Sequence, residues 1–207
     1  MKKLLLTSNG DFAIDGLKFF FDDLKDVKLA YVITASKGAT SLDYLKWHRD
    51  KMNSLGVDYE EIDIEGKNES QLREIFKDNN AIFVEGGNTF YLLKAVMESG
   101  FDKIVGELLE KGIVYIGSSA GAYIACPTIE MATWKPKQKD RFGVTDFTAL
   151  NFVPFLVTAH YTSEMESVLR DKIANTNYLT RILKDGQGIL VNGDEYKFIG
   201  EGVEIKL

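Results

Sequence analysis

The chain alternates between short apolar runs and longer segments in which apolar residues recur every three or four positions. Runs without polar alternation are typical of buried parallel strands, and they occupy residues 4–7, 28–34, 81–84 and 113–118. The segments between them have the spacing of amphipathic helices. Repeated strand–helix units predict an α/β fold, with a mostly parallel sheet and helices on both faces. Functional residues are therefore expected at the carboxyl ends of the strands.

The other predicted elements complete this pattern without a linker or an internal repeat. Helices are predicted over 12–24, 41–55, 68–76, 89–96, 101–111 and 163–174, and further extended segments over 57–64, 152–159, 188–191, 196–199 and 202–206. The last two strands are predicted to form a hairpin at Gly200–Glu201. Residues 127–146 have no clear periodicity and are interpreted as a loop or hairpin across the rim of the sheet. The whole chain, 1–207, is predicted to be a single domain.

Composition narrows the functional classes. The 207 residues are 45% hydrophobic, which is enough for a substantial core. A net charge of -6 argues against nucleic acid and anionic membrane surfaces as partners, because binding phosphate requires clustered Lys and Arg. A single cysteine, Cys126, excludes an internal disulfide framework and a cysteine-based zinc site. With no candidate membrane span in the sequence, a cytoplasmic protein is expected.

The most informative motif is Gly117-Ser118-Ser119-Ala120-Gly121, which follows the strand that begins at Ile113. It matches the G-x-S-x-G pattern, in which a serine lies on a sharp turn between a strand and a helix. Small neighbours permit the bend, and the first amides of the following helix can stabilise a negative oxygen. The alternative is an ordinary Gly/Ser-rich turn, so the motif alone does not establish a nucleophile.

A serine nucleophile needs a base to accept its proton, and the chain has two histidines. His160 follows the apolar extended segment 152–159, as expected for a residue at the end of a strand. His48 lies within a predicted helix beside Trp47 and Arg49, where a surface histidine is the simpler interpretation. His160 is therefore the predicted base.

The base in turn needs a carboxylate to orient it. The candidates between Ser119 and His160 are Asp140, Asp146 and, less favoured, Glu130. Asp140 is preferred and Asp146 is the alternative, although each also suits a structural role: Asp140 in a solvated polar loop, and Asp146 as a cap.

A second loop follows the strand 81–84 and contains Glu85-Gly86-Gly87-Asn88-Thr89. The glycine pair lets backbone amides approach a ligand, so Gly86 and Gly87, together with Ala120, are predicted to stabilise an oxyanion. Asn88 is a predicted substrate-binding residue and, with Thr89, a candidate helix cap. Glu85 is expected either to orient a substrate amine or to face solvent. Cys126 is interpreted as a small buried residue rather than a reactive thiol.

Several of these stretches together resemble the peptidase E family of serine peptidases, also called S51 or aspartyl dipeptidases. They are Phe83-Val84-Glu85-Gly86-Gly87-Asn88-Thr89-Phe90-Tyr91-Leu92-Leu93, Tyr115 to Ala122, Ala125 to Ile129, Ala149-Leu150-Asn151-Phe152 and Ala159-His160-Tyr161. The resemblance implies a fold like that of class I glutamine amidotransferases, with a Ser/His/Asp-type triad. It implies Ser119 as the nucleophile and His160 as the base, with the amides of Gly87 and Ala120 forming the oxyanion hole.

The resemblance also bears on the acid and the substrate. The stretch between Ser119 and His160 looks longer than in peptidase E, so the triad acid stays open between Asp140 and Asp146. The expected activity is that of a serine exopeptidase or dipeptidase on short peptides, with no metal or organic cofactor. A preference for an amino-terminal Asp is an open expectation, because the family's G-E-T-R motif after the histidine is absent and Arg170 is only a possible substitute.

Two other functions are compatible with the sequence. One is a related hydrolase similar to cyanophycinase, acting on an aspartyl-arginine polymer. The other is a binding or regulatory protein that retains the fold without the chemistry. The sequence does not predict an oligomeric state.

Overall fold

The computed structural model describes residues 1–134 and 141–207. The strands in these ranges are β1 (Lys3–Thr7), β2 (Lys28–Val32), β3 (Asp58–Ile62), β4 (Ala81–Val84), β5 (Val114–Ser118), β6 (Leu156–Thr158), β7 (Thr180–Ile182), β8 (Gln187–Asn192) and β9 (Glu195–Gly200). The α-helices are α1 (Gly10–Asp15), α2 (Asp43–Ser54), α3 (Glu69–Phe76), α4 (Thr89–Ser99), α5 (Phe101–Glu110), α6 (Ala120–Ile124) and α7 (Glu166–Asn175).

Seven of these strands form one sheet in the order β3-β2-β4-β5-β1-β8-β9. The first five are parallel to one another, β8 is antiparallel to β1, and β9 is antiparallel to β8. This mostly parallel α/β sheet confirms the predicted fold class. In the middle of the sheet, β5 lies between β4 and β1, so the loops that follow these three strands share one rim.

The core has two layers because successive strand residues point to opposite faces of a sheet. On β1, Leu4 and Leu6 pack into the larger apolar cluster, whereas Leu5 packs into the smaller one. The larger cluster contains buried residues of α3, α4, α5 and α6, and the smaller one contains residues of α1 and α2. Helices therefore cover both faces, as predicted.

The strands β6 and β7 form a separate parallel pair, in which Thr158 lies opposite Ile182. The segments that follow the two strands remain hydrogen-bonded to each other: the Leu183 amide donates to Thr158 O (2.8 Å), and the Tyr161 amide donates to Leu183 O (3.0 Å). This pairing fixes the relative positions of the residues just beyond each strand.

Two sequence predictions about the chain's ends were wrong. The single helix predicted over 12–24 is the short α1 followed by 3-10 turns at Gly16–Phe19 and Leu24–Asp26. Gly16 packs so closely on β1 that a Cβ there would lie 2.1 Å from Leu5 Cδ2, and glycine also disfavours a continuous helix.

The closing hairpin joins β8 to β9 rather than lying at Gly200–Glu201. Asn192 pairs with Glu195, and Gly193, with φ at +62°, supplies the left-handed residue that a two-residue turn requires. Of the last residues, Ile205 makes an isolated bridge to Ile182.

The predicted loop over 127–146 contains a 3-10 segment, Glu130–Thr133, and its Thr128 forms an antiparallel bridge with Thr148, which lies just after the loop. Asp140, the preferred acid, lies outside the described residues. None of the helices in the described ranges has both the length and the apolar character needed to cross a membrane.

Candidate active site

Ser119 lies on the sharp turn between β5 and α6, with φ at 49° and ψ at -105°. A non-glycine residue in this region is strained and must be held by its surroundings. The close packing of the turn requires the flanking glycines: a Cβ at Gly117 would lie 2.5 Å from Gly121 O, and one at Gly121 would lie 2.0 Å from Val84 O. The motif thus forms the bend that a nucleophile requires.

The loops after β1 and β4 flank Ser119 on both sides. The Ser119 amide donates to Thr7 O at the end of β1 (3.0 Å). On the other side, a Cβ at Gly86 would lie 3.2 Å from Ser119 Cβ, so the loop after β4 passes directly beside the serine. The loop after β4 and the turn that carries Ser119 after β5, both singled out in the sequence, therefore meet at one rim.

His160 and a carboxylate complete a chain of contacts to Ser119. The Nε2 atom of His160 lies 3.1 Å from Ser119 Oγ, and its Nδ1 atom lies 2.7 Å from Asp185 Oδ1. The side chains of His160 and Asp185 are 47% and 59% exposed, so the site opens to solvent. Alcohol, imidazole and carboxylate in this order are the arrangement that activates a serine for acyl transfer.

The fold explains why Asp185 reaches this position. His160 follows β6 and Asp185 follows β7. Because these strands are parallel, their carboxyl ends, and the residues that follow them, lie side by side. In addition, β8 is antiparallel to β1, with Gly188 opposite Thr7. The residues just before β8 therefore lie at the same rim as the residues just after β1.

Asp185, and not Asp146, is the carboxylate beside His160 in the described part of the chain. Asp146 Oδ1 accepts a hydrogen bond from the Thr148 amide (2.9 Å), and this bond lowers the pKa of Asp146 below its usual value. Glu130 Oε1 accepts from Thr176 Oγ1 (2.5 Å). Asp140 is outside the described residues, and it is Asp185 that contacts the imidazole.

His48 and Glu85 form a buried pair, in contrast to both sequence interpretations. His48 is 5% exposed and Glu85 is 1% exposed, and His48 Nδ1 lies 2.6 Å from Glu85 Oε2. The Tyr31 hydroxyl donates to the same oxygen (2.6 Å). Burial, followed by the charge of Glu85, raises the pKa of Tyr31 well above its usual value, so Tyr31 remains a donor. No local pattern predicts this pairing, because His48 and Glu85 are 37 positions apart in the chain.

Glu85 also fixes the backbone of the neighbouring loop. The Gly86 amide donates to Glu85 Oε1 (2.7 Å), and the Gly86 carbonyl accepts from the Tyr44 hydroxyl (3.1 Å). The Gly86 N–H is therefore engaged, which corrects its prediction as an oxyanion donor. Gly87 has φ at +147°, and a Cβ there would lie 2.3 Å from Ala35 O, so this position requires glycine.

Asn88 and Ala120 occupy helix starts. Asn88 Oδ1 accepts from the amides of Phe90 and Tyr91 (2.9 and 3.0 Å), so this oxygen caps α4, and Asn88 is 6% exposed. The capping role predicted for Asn88 is confirmed, and its oxygen is used there rather than for a substrate. Ala120 is the first residue of α6, and its N–H has no acceptor within the helix.

Arg170 and Cys126, which were also considered from the sequence, lie in a salt bridge and in the core, respectively. Arg170 donates to Glu166 Oε1 (2.8 Å), so this guanidinium is already paired. Cys126 is fully buried, as predicted, and burial raises the pKa of its thiol to about 12. Within residues 1–134 and 141–207, no three His, Cys, Asp or Glu side chains come together as a metal site.

Comparisons with known proteins find similar sequences over nearly the whole chain. The model of Peptidase family S51 matches residues 4–199. An uncharacterized peptidase of Pasteurella multocida is 31% identical over 94% of this chain and 95% of its own length. Peptidase E of Nostoc sp. is 28% identical over the whole chain and 82% of its own length.

Solved structures show the same fold. A crystal structure of a candidate peptidase E from Listeria monocytogenes EGD-e superposes with a TM-score of 0.86 at 28% identity, covering 98% of this chain and 100% of that one. A peptidase from an acI-B1 Actinobacterium shares the fold alone, with a TM-score of 0.70 at 15% identity over 97% of this chain and 88% of that one.

Proposed function

Because the chain belongs to peptidase family S51, we propose that it is a serine exopeptidase that hydrolyses short peptides, with Ser119, His160 and Asp185 as its catalytic triad. The observation that carries this proposal is the 3.1 Å distance between Ser119 Oγ and His160 Nε2, with Asp185 at the other imidazole nitrogen. The family relationship supports a peptidase hydrolase. The contact between Ser119 and His160 supports a reaction of the serine type.

The proposed reaction begins with proton transfer from Ser119 Oγ to His160 Nε2 as Oγ attacks the carbonyl carbon of the first peptide bond. The carbonyl oxygen becomes negative, and the amides of Ala120 and Gly87 stabilise it. His160 then gives its proton to the leaving amine, and the C–N bond breaks. Water, deprotonated by His160, attacks the acyl-enzyme, and the returned proton releases Ser119 and the free acid.

Asp185 holds the imidazole in the useful tautomer during this cycle. By accepting a hydrogen bond from Nδ1–H, it leaves the lone pair of Nε2 directed at Ser119 and stabilises the imidazolium that forms. We therefore propose Asp185 for the role of the acid, which the sequence left open between Asp140 and Asp146.

The substrate is proposed at two levels. Short peptides with a free amino terminus are the class, on the basis of the relatives named peptidase E. A preference for amino-terminal Asp is the finer proposal, to be tested because Arg170 is paired with Glu166 and the Arg-containing motif is absent. We also propose a cytoplasmic location, with which a single buried cysteine and no disulfide are compatible.

The experiment is hydrolysis of a dipeptide panel by the wild-type protein and by Ser119→Ala. The panel contains Asp-X, Glu-X and neutral dipeptides, their amino-acetylated forms, and aspartyl-arginine polymer. We expect the wild type to cleave free dipeptides and the variant to lose at least about 10⁴-fold in kcat. Activity retained by Ser119→Ala would contradict a serine mechanism. Cleavage of the polymer alone would favour the cyanophycinase-like function, and no cleavage of any substrate would favour a binding protein.

A further inference from the structure

Ser8 lies where the backbone of His160 and the side chain of Asp185 meet. It follows β1 directly and is fully buried. Its Oγ atom lies 2.7 Å from the His160 amide nitrogen and 2.7 Å from Asp185 Oδ1. We propose that Ser8 is a positioning residue that fixes the tautomer and orientation of His160 for catalysis. This inference rests on the proposed function, because it concerns the base and the acid of that triad.

The donors and acceptors in this cluster define a direction for each hydrogen bond. A backbone N–H can only donate, so the His160 amide donates to Ser8 Oγ. The single hydroxyl proton of Ser8 is then donated to Asp185 Oδ1, which acts as an ionised acceptor. The same Oδ1 lies 2.7 Å from His160 Nδ1, so Nδ1 carries a proton and donates it. His160 Nε2 is left with its lone pair facing Ser119.

The backbone of His160 also needs this support. His160 has φ at +56°, in the left-handed region that non-glycine residues rarely adopt. The hydrogen bond from its amide to Ser8 Oγ holds this conformation, which aims the imidazole at Ser119. Strained residues at functional sites persist only when neighbouring contacts hold them.

Ser8 can act as an anchor because its own turn is fixed. The Ser8 amide donates to Gln187 O (3.0 Å), and Asn9 Oδ1 accepts from the Gly186 amide (2.9 Å). The turn after β1 therefore holds the chain on both sides of the entry to β8, next to Asp185. Because the side chains of His160 and Asp185 are about half exposed, the buried Ser8 hydroxyl is the part of the cluster most protected from water.

The first test compares Ser8→Ala with Ser99→Ala. Ser99 is a matched control: it is buried, its Oγ donates to Val96 O and accepts from the Phe101 amide, and it lies at the α4–α5 junction. For the dipeptide that the wild type cleaves best, we expect Ser8→Ala to lower kcat at least tenfold while KM changes less than twofold. Ser99→Ala should keep the wild-type kcat, even if its stability falls.

The second test reads the tautomer directly, by ¹⁵N NMR of the imidazoles at a pH where His160 is neutral. The chain has two histidines, and the spectrum of His160→Gln identifies the signals of His160. We expect the wild type to carry the proton on Nδ1 and Ser8→Ala to show a fraction with the proton on Nε2. If Ser8→Ala does not fold, Ser8→Cys replaces it, since a thiol is a weak donor and acceptor, with the same expected direction.

The outcomes separate this inference from the proposed function. A wild-type protein that cleaves no peptide would overturn the proposed function, while the NMR spectra would still test the effect of Ser8 on His160. An active wild type, with Ser8→Ala equal to Ser99→Ala in kcat and with an unchanged His160 tautomer, would overturn the role of Ser8 alone.

Discussion

His160 Nδ1 lies 2.7 Å from Asp185 Oδ1, although 25 residues separate the two in the chain. The parallel pair β6 and β7 brings them together, because His160 follows β6 and Asp185 follows β7. The imidazole is thus held between Asp185 and Ser119 by an element outside the main sheet. This arrangement separates the strand that carries the nucleophile from the pair that carries the base and the acid.

Replacing Asp185 tests this assignment of the acid. Asp185→Asn keeps the size of the side chain but removes the charge that stabilises the imidazolium, so we expect kcat to fall about 10³–10⁴-fold. The matched controls are Asp146→Asn and Asp140→Asn, which should stay within about threefold of the wild type because Asp185 fills the position beside His160. Steady-state kinetics on one dipeptide measures all three. A large loss in either control, with Asp185→Asn active, would contradict the assignment.

Much of the fold was predictable from local patterns. The apolar runs at 4–7 and 81–84 are buried strands, and the small residues around Ser119 form the predicted turn. These features depend on residues close together in the chain, for which periodicity and steric size are sufficient guides. The meeting of the β4 and β5 loops followed from the parallel sheet alone.

The acid was not predictable in the same way. The candidates were expected between Ser119 and His160, whereas Asp185 precedes β8, an antiparallel strand that begins at the functional rim. Strand direction depends on long-range pairing, which periodicity does not encode. The pairing of His48 with Glu85 likewise depends on the packing of α2 against the end of β4.

Substitution of Gly121 tests the tight turn. A Cβ at Gly121 would lie 2.0 Å from Val84 O, so we expect Gly121→Ala to lower the free energy of unfolding by about 3 kcal/mol or more. Gly106, in α5, has nothing within 4 Å of its Cβ position. Gly106→Ala should therefore stabilise the protein by about 0.5–1 kcal/mol. Urea unfolding measures both, and equal effects of the same sign would contradict the packing described here.

Removal of Glu85 tests the buried pair beneath the loop. Glu85→Ala leaves His48, Tyr31 and the Gly86 amide without their buried acceptor, so we expect a loss of about 3–5 kcal/mol in the free energy of unfolding. The control is Glu98→Ala, whose exposed partner Lys94 is 3.9 Å away, and its effect should be within about 0.5 kcal/mol. A Glu85→Ala protein as stable as this control would show that the pair contributes little.

The buried thiol gives a prediction about pH. Burial raises the pKa of Cys126 from 9.0 to about 12, so its contribution to stability is fully present below pH 9 and is lost as the pH rises towards 12. At about pH 8 this raised pKa keeps the thiol protonated, and the thiolate is the reactive form, so native Cys126 should resist iodoacetamide.

Ser119→Cys provides the positive control for that experiment, because it adds a thiol beside His160. Intact-mass analysis should show one rapid modification in Ser119→Cys and none in the wild type until the protein is unfolded. Rapid alkylation of native wild-type protein would contradict the burial of Cys126.

Covalent labelling of Ser119 tests the central claim most directly. The protein is treated with a fluorophosphonate, digested, and the modified residue is located by mass spectrometry. We expect one stoichiometric adduct on Ser119, absent in Ser119→Ala and formed at least about 100-fold more slowly in His160→Gln. An adduct on another residue, or labelling of Ser119 at the same rate without His160, would contradict a nucleophile activated by this imidazole.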